Sequence, residues 1–128
     1  MLNSSEVNIL GQILNDTWGK STRGDFRTPT MCIRSSLQGD LLSCSYTTIV
    51  NLASERNLRD QIKPFSEESI KLTKDFIKSL KKDFKEASGR TLKLKQINST
   101  DNVELITASA FSPRKTGYYR RFTRFQCE

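Results

Sequence analysis

Five cations and four aromatic rings crowd residues 112–128, Ser112-Pro-Arg-Lys-Thr-Gly-Tyr-Tyr-Arg-Arg-Phe-Thr-Arg-Phe-Gln-Cys-Glu128. These residue types bind rather than make bonds. Arginine forks hold carboxylates and phosphates, and aromatic rings anchor apolar or stacked partners. In an extended strand Tyr118, Arg120, Phe122 and Arg124 point one way, and Tyr119, Arg121, Thr123 and Phe125 the other. Each side carries aromatics and arginine, so neither reads as a clean core face. The expectation is that one side packs on a helix with arginine stems along the rim, leaving the other exposed. Such a strand could stack bases and neutralise phosphates. The same residues serve equally at a protein interface. The candidate partner-binding or nucleic-acid-binding residues are Arg114, Lys115, Tyr118, Tyr119, Arg120, Arg121, Phe122 and Arg124.

Bond-making chemistry is poorly supplied. The chain has no histidine, so acid–base work would fall to carboxylates or lysine. Its cysteines, Cys32, Cys44 and Cys127, form no C-x-x-C pair and have no histidine to activate them. They cannot complete a standard structural zinc site. Buried free thiols are expected, with a Cys32–Cys44 bridge across a hairpin as the alternative. Gly19-Lys20-Ser21 echoes a phosphate-binding loop, but position 14 is Leu where that motif needs glycine. The sequence therefore predicts no catalytic residues, no metal, no cofactor and no small-molecule substrate. An enzyme working through carboxylates alone is the outlying alternative.

The elements that must position the C-terminal strand follow from periodicity. Val7, Leu10, Leu14 and Trp18 recur at helical spacing over about residues 4–18, with Asn3 or Ser4 as cap, Gly19 as stop and Trp18 as core anchor. Residues 19–29 read as a polar loop. Residues 30–37 and 41–52 read as a hairpin turning at Gln38-Gly39-Asp40. Its second arm alternates Leu42, Cys44, Tyr46, Thr48, Val50 and Leu52 against Ser43, Ser45 and Thr47. Residues 53–65 read as a charged, irregular connection closed by Pro64, with a helical turn around Glu55–Ile62 as the alternative. Ser66 then caps a long helix over about 67–87 with the stripe Ile70, Thr73, Ile77, Leu80, Phe84 and Ala87, widened by Leu72 and Phe76 and stopped by Ser88-Gly89. Its many lysines, interleaved with Asp75, Asp83 and Glu86, read as a solvated face. Three strands follow: Thr91–Ile97, Val103–Ala110 after an Asn98–Asn102 turn, and Gly117–Cys127. The predicted class is α+β in the order α-β-β-α-β-β-β. A single domain over residues 1–128 has an antiparallel sheet of about five strands, with one long amphipathic helix packed across it.

The net charge is +7. Residues 1–64 hold seven Lys and Arg against six Asp and Glu, whereas residues 65–128 hold fourteen against eight. The imbalance favours an anionic partner facing the second half. No stretch reaches the length of a membrane span, and Met1-Leu-Asn-Ser-Ser-Glu6 lacks the cations of a secretory leader.

Two segments, Phe84-Lys-Glu-Ala-Ser-Gly-Arg-Thr-Leu-Lys-Leu-Lys95 and Ser112-Pro-Arg-Lys-Thr-Gly-Tyr-Tyr-Arg-Arg121, resemble small proteins encoded by tailed phages of the T4-like, cyanobacterial type. The resemblance implies a non-enzymatic virion or assembly part, located in the virion or host cytoplasm and docking on protein subunits of a larger assembly. It carries over no site residues. A nucleic-acid-binding regulator using the same basic strand is the alternative.

Overall fold

A computed structural model describes residues 1–17, 21–24, 29–52, 56–106 and 115–128. The class is α+β, with an antiparallel sheet and one long helix. The elements are α1 (Ser4–Thr17), β1 (Ser21–Gly24), β2 (Pro29–Gln38), β3 (Leu41–Leu52), α2 (Leu58–Ser88), β4 (Leu94–Ile106) and β5 (Lys115–Cys127). The order is thus α-β-β-β-α-β-β rather than the α-β-β-α-β-β-β expected. In space the strands run β1-β2-β3-β5-β4, with every neighbouring pair antiparallel. Four are long, and β1 is a four-residue edge strand.

The hairpin forms as its alternation requires. Leu42, Cys44, Tyr46, Thr48, Val50 and Leu52 are all buried. Gln38 pairs with Leu41, which leaves Gly39-Asp40 as a two-residue turn. Gly39 sits at φ 62°, a value its missing Cβ makes inexpensive.

Three expectations are corrected. Residues 21–24 and 29 pair in strands instead of belonging to a loop. Asn98–Asn102 is the middle of a strand, not a turn: β4 pairs with β5 from Leu94 to Ile106, with a bulge between Gln96 and Asn98. Its Asn, Ser and Asp residues read as turn formers, but in this outermost strand Asn98 and Asn102 are exposed, while Ser99 and Asp101 find hydrogen-bond partners in Thr123 and Tyr119. The bulge also reverses the strand's phase. Leu94 and Gln96 lie opposite Cys127 and Phe125 before it, whereas Ser99, Asp101 and Val103 lie opposite Thr123, Arg121 and Tyr119 after it.

The third correction concerns α2. It starts at Leu58, ahead of Pro64, and Ser66 lies within it rather than capping it. Proline removes the bond to the carbonyl of Asp60, but Asp60 is exposed to water. Leu58, Ile62 and Phe65 meanwhile pack on Tyr46, Val50, Leu52 and Tyr119, which holds the turns before the proline. Asn57 begins the helix at φ 55°, a conformation asparagine tolerates. The buried stripe is Ile62, Ser69, Phe76, Leu80 and Phe84. Ile70, Thr73 and Ile77 flank it, and Ala87 is exposed. Small, polar Ser69 masked this phase. Its hydroxyl donates to the Ser66 carbonyl at 2.8 Å, so its burial leaves no unmet donor.

α1 is capped reciprocally. The Glu6 N–H donates to Asn3 Oδ1 at 2.8 Å, and the Asn3 N–H donates to Glu6 Oε1 at 3.1 Å. Leu10 and Leu14 join Phe76, Leu80, Phe84, Leu92, Phe125 and Cys127 in the core. Trp18 lies outside the described residues. α2 ends at Gly89, φ 75°, whose N–H donates to the Lys85 carbonyl at 2.8 Å. Both helices thus cover one side of the sheet, and among the described residues no element packs on the other.

Candidate functional site

β5 lies inside the sheet. Its residues 115–127 pair with β3 on one side and with β4 on the other. Neither edge is available to accept a strand from a neighbour.

Alternation then sorts its side chains. Tyr119, Thr123, Phe125 and Cys127 are buried beneath the helices. This face is the core, with Arg121 at its rim, as expected of a side that packs on a helix through its aromatics and leaves the other exposed. Tyr119 is fully buried, its ring 6.0 Å from that of Tyr46 and 6.5 Å from that of Phe65. Its hydroxyl donates to Asp101 Oδ2 at 3.1 Å. Tyr119 is therefore a core residue, not a contact surface. Arg121 shares this side and borders α2 with Ile70, Thr73, Lys74 and Ile77. The adjacent arginines Arg120 and Arg121 consequently face opposite layers. Arg114 lies outside the described residues, as do residues 107–113; Lys115 opens β5 opposite Leu52.

Tyr118, Arg120, Phe122 and Arg124 stand on the open face. Sheet register places each in a row across the strands. Phe122 lies beside Ser45 and Thr100, and Ser45 beside Arg34. Arg124 lies beside Ser43 and Asn98, and Arg120 beside Thr47 and Asn102. A ring that stayed exposed on a lone strand would be unremarkable. Here Phe122 is 48% exposed in the middle of a sheet. It borders an open groove of about 340 Å³ lined also by Arg34, Ser45, Thr47 and Arg120. An adjoining groove of about 300 Å³ shares Arg34, Ser45 and Phe122 and extends to Ser36 and Ser43.

Arg34 is the residue that sequence reading missed. It lies far from β5 in the chain and arrives through the order β2-β3-β5. The signal for it was present: Arg34 and Ser36 alternate in phase with the polar side of the hairpin, Ser43, Ser45 and Thr47.

The electrostatics of the face are cationic. Among the described residues, Arg34, Arg120 and Arg124 stand there with one acid, Glu104. Arg120 Nη1 lies 3.4 Å from Glu104 Oε2, with both side chains substantially exposed. An exposed pair of this kind is worth at most about 1 kcal/mol. The Arg120 guanidinium also lies 5.7 Å from the centre of the Tyr118 ring, which steadies its position. Serine and threonine hydroxyls floor the groove and add donors suited to anions.

The thiols of Cys44 and Cys127 offer no comparable chemistry. Cys44 and Cys127 are free and buried. Burial, with Cys127 nearby, pushes the Cys44 thiol up to about 12. Burial and neighbouring Asp40 push Cys127 up to about 11. Both remain protonated and poorly nucleophilic near neutrality. Backbone register sets Cys32 beside Thr47 and Cys44 beside Ser35, so the hairpin does not place those two cysteines opposite each other.

Among the described residues no cluster of three or more Cys, Asp and Glu is arranged to hold a metal ion. No described helix is long and apolar enough to cross a membrane. Comparison with protein-family models, curated proteins and solved structures gives no match. The functional reading accordingly rests on the chemistry of the open face.

Proposed function

We propose that the chain is a non-enzymatic binding module that works through the open face of its sheet, and that its ligand is nucleic acid. One observation carries this reading: Phe122 is exposed on an uncovered sheet face beside Arg34, Arg120 and Arg124. An aromatic platform bordered by cations suits a polyanion that also offers flat rings. Anisotropy of labelled oligonucleotides, titrated with the whole chain from low to physiological salt, tests it. Binding with log K falling linearly against log salt supports the reading and counts the phosphates engaged. No binding at low salt overturns it.

A second reading is an assembly part that docks on a neighbouring protein subunit, as the phage resemblance implies. The surface favouring it is different. β4 is an outermost strand of the sheet, and it carries two exposed apolar side chains, Ile97 and Leu105. A strand with one free edge and apolar groups near both ends suits edge pairing. Sedimentation of the wild type and of Ile97→Lys tests it. A defined oligomer lost in the variant supports assembly through β4, whereas a monomer at every concentration removes self-assembly.

A further inference from the structure

We infer that the open face selects single strands over duplexes, with a base stacked on Phe122 and flanking phosphates held by Arg34, Arg120 and Arg124. This rests on the nucleic-acid reading and names the form of ligand that its site takes.

Five strands about 4.8 Å apart make a sheet roughly 19 Å across. The major groove of B-form DNA is about 12 Å wide and admits a helix or a two-stranded ribbon, not a sheet laid flat. Phe122 is on β5, and β4 separates that strand from the nearer sheet edge. Its ring therefore cannot be inserted into a groove from the side. It reaches a base only if the base comes down onto the sheet.

In a duplex both flat faces of each base are covered by neighbours, and its pairing edge is spent. A splayed single-stranded base offers a free face to an aromatic ring. Phe122 offers such a face and no hydrogen-bonding atom, so it recognises stacking rather than base identity.

Arg120 and Arg124 lie two residues either side of Phe122, about 7 Å away along the strand. That is of the order of one step of an extended nucleotide chain. Arg34 stands two strands away on the far side of the groove, where a chain crossing the sheet would pass. Glu104 holds Arg120 only through an exposed pair, which a phosphate can replace.

The test compares a labelled oligothymidylate with a mixed-sequence duplex of equal length, using the whole chain and the variants Phe122→Ala, Phe122→Trp and Arg34→Gln. The single strand is expected to bind at least about tenfold tighter than the duplex. Phe122→Ala should weaken single-strand binding roughly ten- to a hundredfold and leave the salt slope unchanged, whereas Phe122→Trp should preserve affinity. Arg34→Gln should lower the salt slope by about one phosphate. Circular dichroism and Tm verify that each variant folds, which exposure of Phe122 and Arg34 favours. Equal affinity for the two probes, or no effect of Phe122→Ala, overturns the inference and leaves the nucleic-acid reading standing. No binding of either probe at low salt overturns both and turns the open face over to a protein neighbour.

Discussion

Arg90 Nη1 lies 2.7 Å from one carboxylate oxygen of Glu6 and 2.8 Å from the other. The same carboxylate accepts the Asn3 N–H that closes the cap of α1. One acid thus starts α1 and ties it to the residues just after α2. Breaking this tie undoes two contacts at once.

Glu6→Gln and Arg90→Gln should each lower Tm by several degrees in thermal scans, and the double variant should cost less than the two added together. The Arg90 guanidinium, followed by the Asn3 N–H, holds the Glu6 carboxyl below its ordinary value of 4.5. A lowered folded pKa stabilises above the unfolded value and is lost as pH falls through the folded one. The gap in Tm between wild type and Glu6→Gln should therefore be full near neutrality and close progressively below about pH 4.5. A gap that stays constant down to strong acid would contradict the assignment.

At Gly117 the backbone of β4 lies close against β5. A Cβ there would stand 2.8 Å from the Glu104 carbonyl oxygen, a backbone atom that cannot swing aside. Gly117→Ala should destabilise by about 1–3 kcal/mol, read as a lower urea midpoint. By contrast Gly11→Ala, where nothing lies within 4 Å, should be neutral or stabilising.

In a Cys32→Ser background, Cys44 and Cys127 should resist a thiol reagent in the folded protein near neutrality and react in urea. Their folded pKa values of about 12 and about 11 exceed the ordinary 9.0. A raised folded pKa means that stability is full below the unfolded value and is lost as pH rises towards the folded one. Burial also pushes the Tyr46 hydroxyl up to about 12, with Glu68 adding to it. Stability should thus decline above about pH 9. Rapid labelling of both thiols under native conditions would contradict their burial.

Ser35 Oγ is buried without a hydrogen-bond partner. Replacing it by alanine removes an unmet polar group and little volume. Ser35→Ala should stabilise by up to about 1 kcal/mol in urea denaturation. A loss of that size would show that the hydroxyl is satisfied in solution.

Local pattern was readable and remote pairing was not. The alternation of β3, the Gly39 turn, the first helix and the Gly89 stop follow from neighbours in sequence, and each is found near its expected place. β4 misled because Asn98–Asn102 has turn composition, and only its ladder with β5 keeps it extended. Pro64 misled because the packing of Leu58 and Ile62, which outweighs the proline, depends on Tyr46 and Tyr119 across the fold. For the site, alternation correctly grouped Tyr118, Arg120, Phe122 and Arg124. It did not say which group was buried, since that is decided by where the helices lie. Arg34 needed the strand order to be seen at all.

The middle position of β5 bears on how the chain acquires its shape during synthesis. β5 is translated after the other four strands of the sheet, yet it fills the gap between β3 and β4. At a ribosomal pace of about 5–20 residues per second, β3 waits several seconds for its inner neighbour. Through that interval a twelve-residue strand, rich in Thr, Tyr, Ile and Val, presents an unpaired edge. Closing the sheet joins Leu41 to Gln126, a contact of long sequence separation and hence slow to form. Nascent chains stalled before residue 115 would be the population most prone to aggregate and most dependent on chaperones.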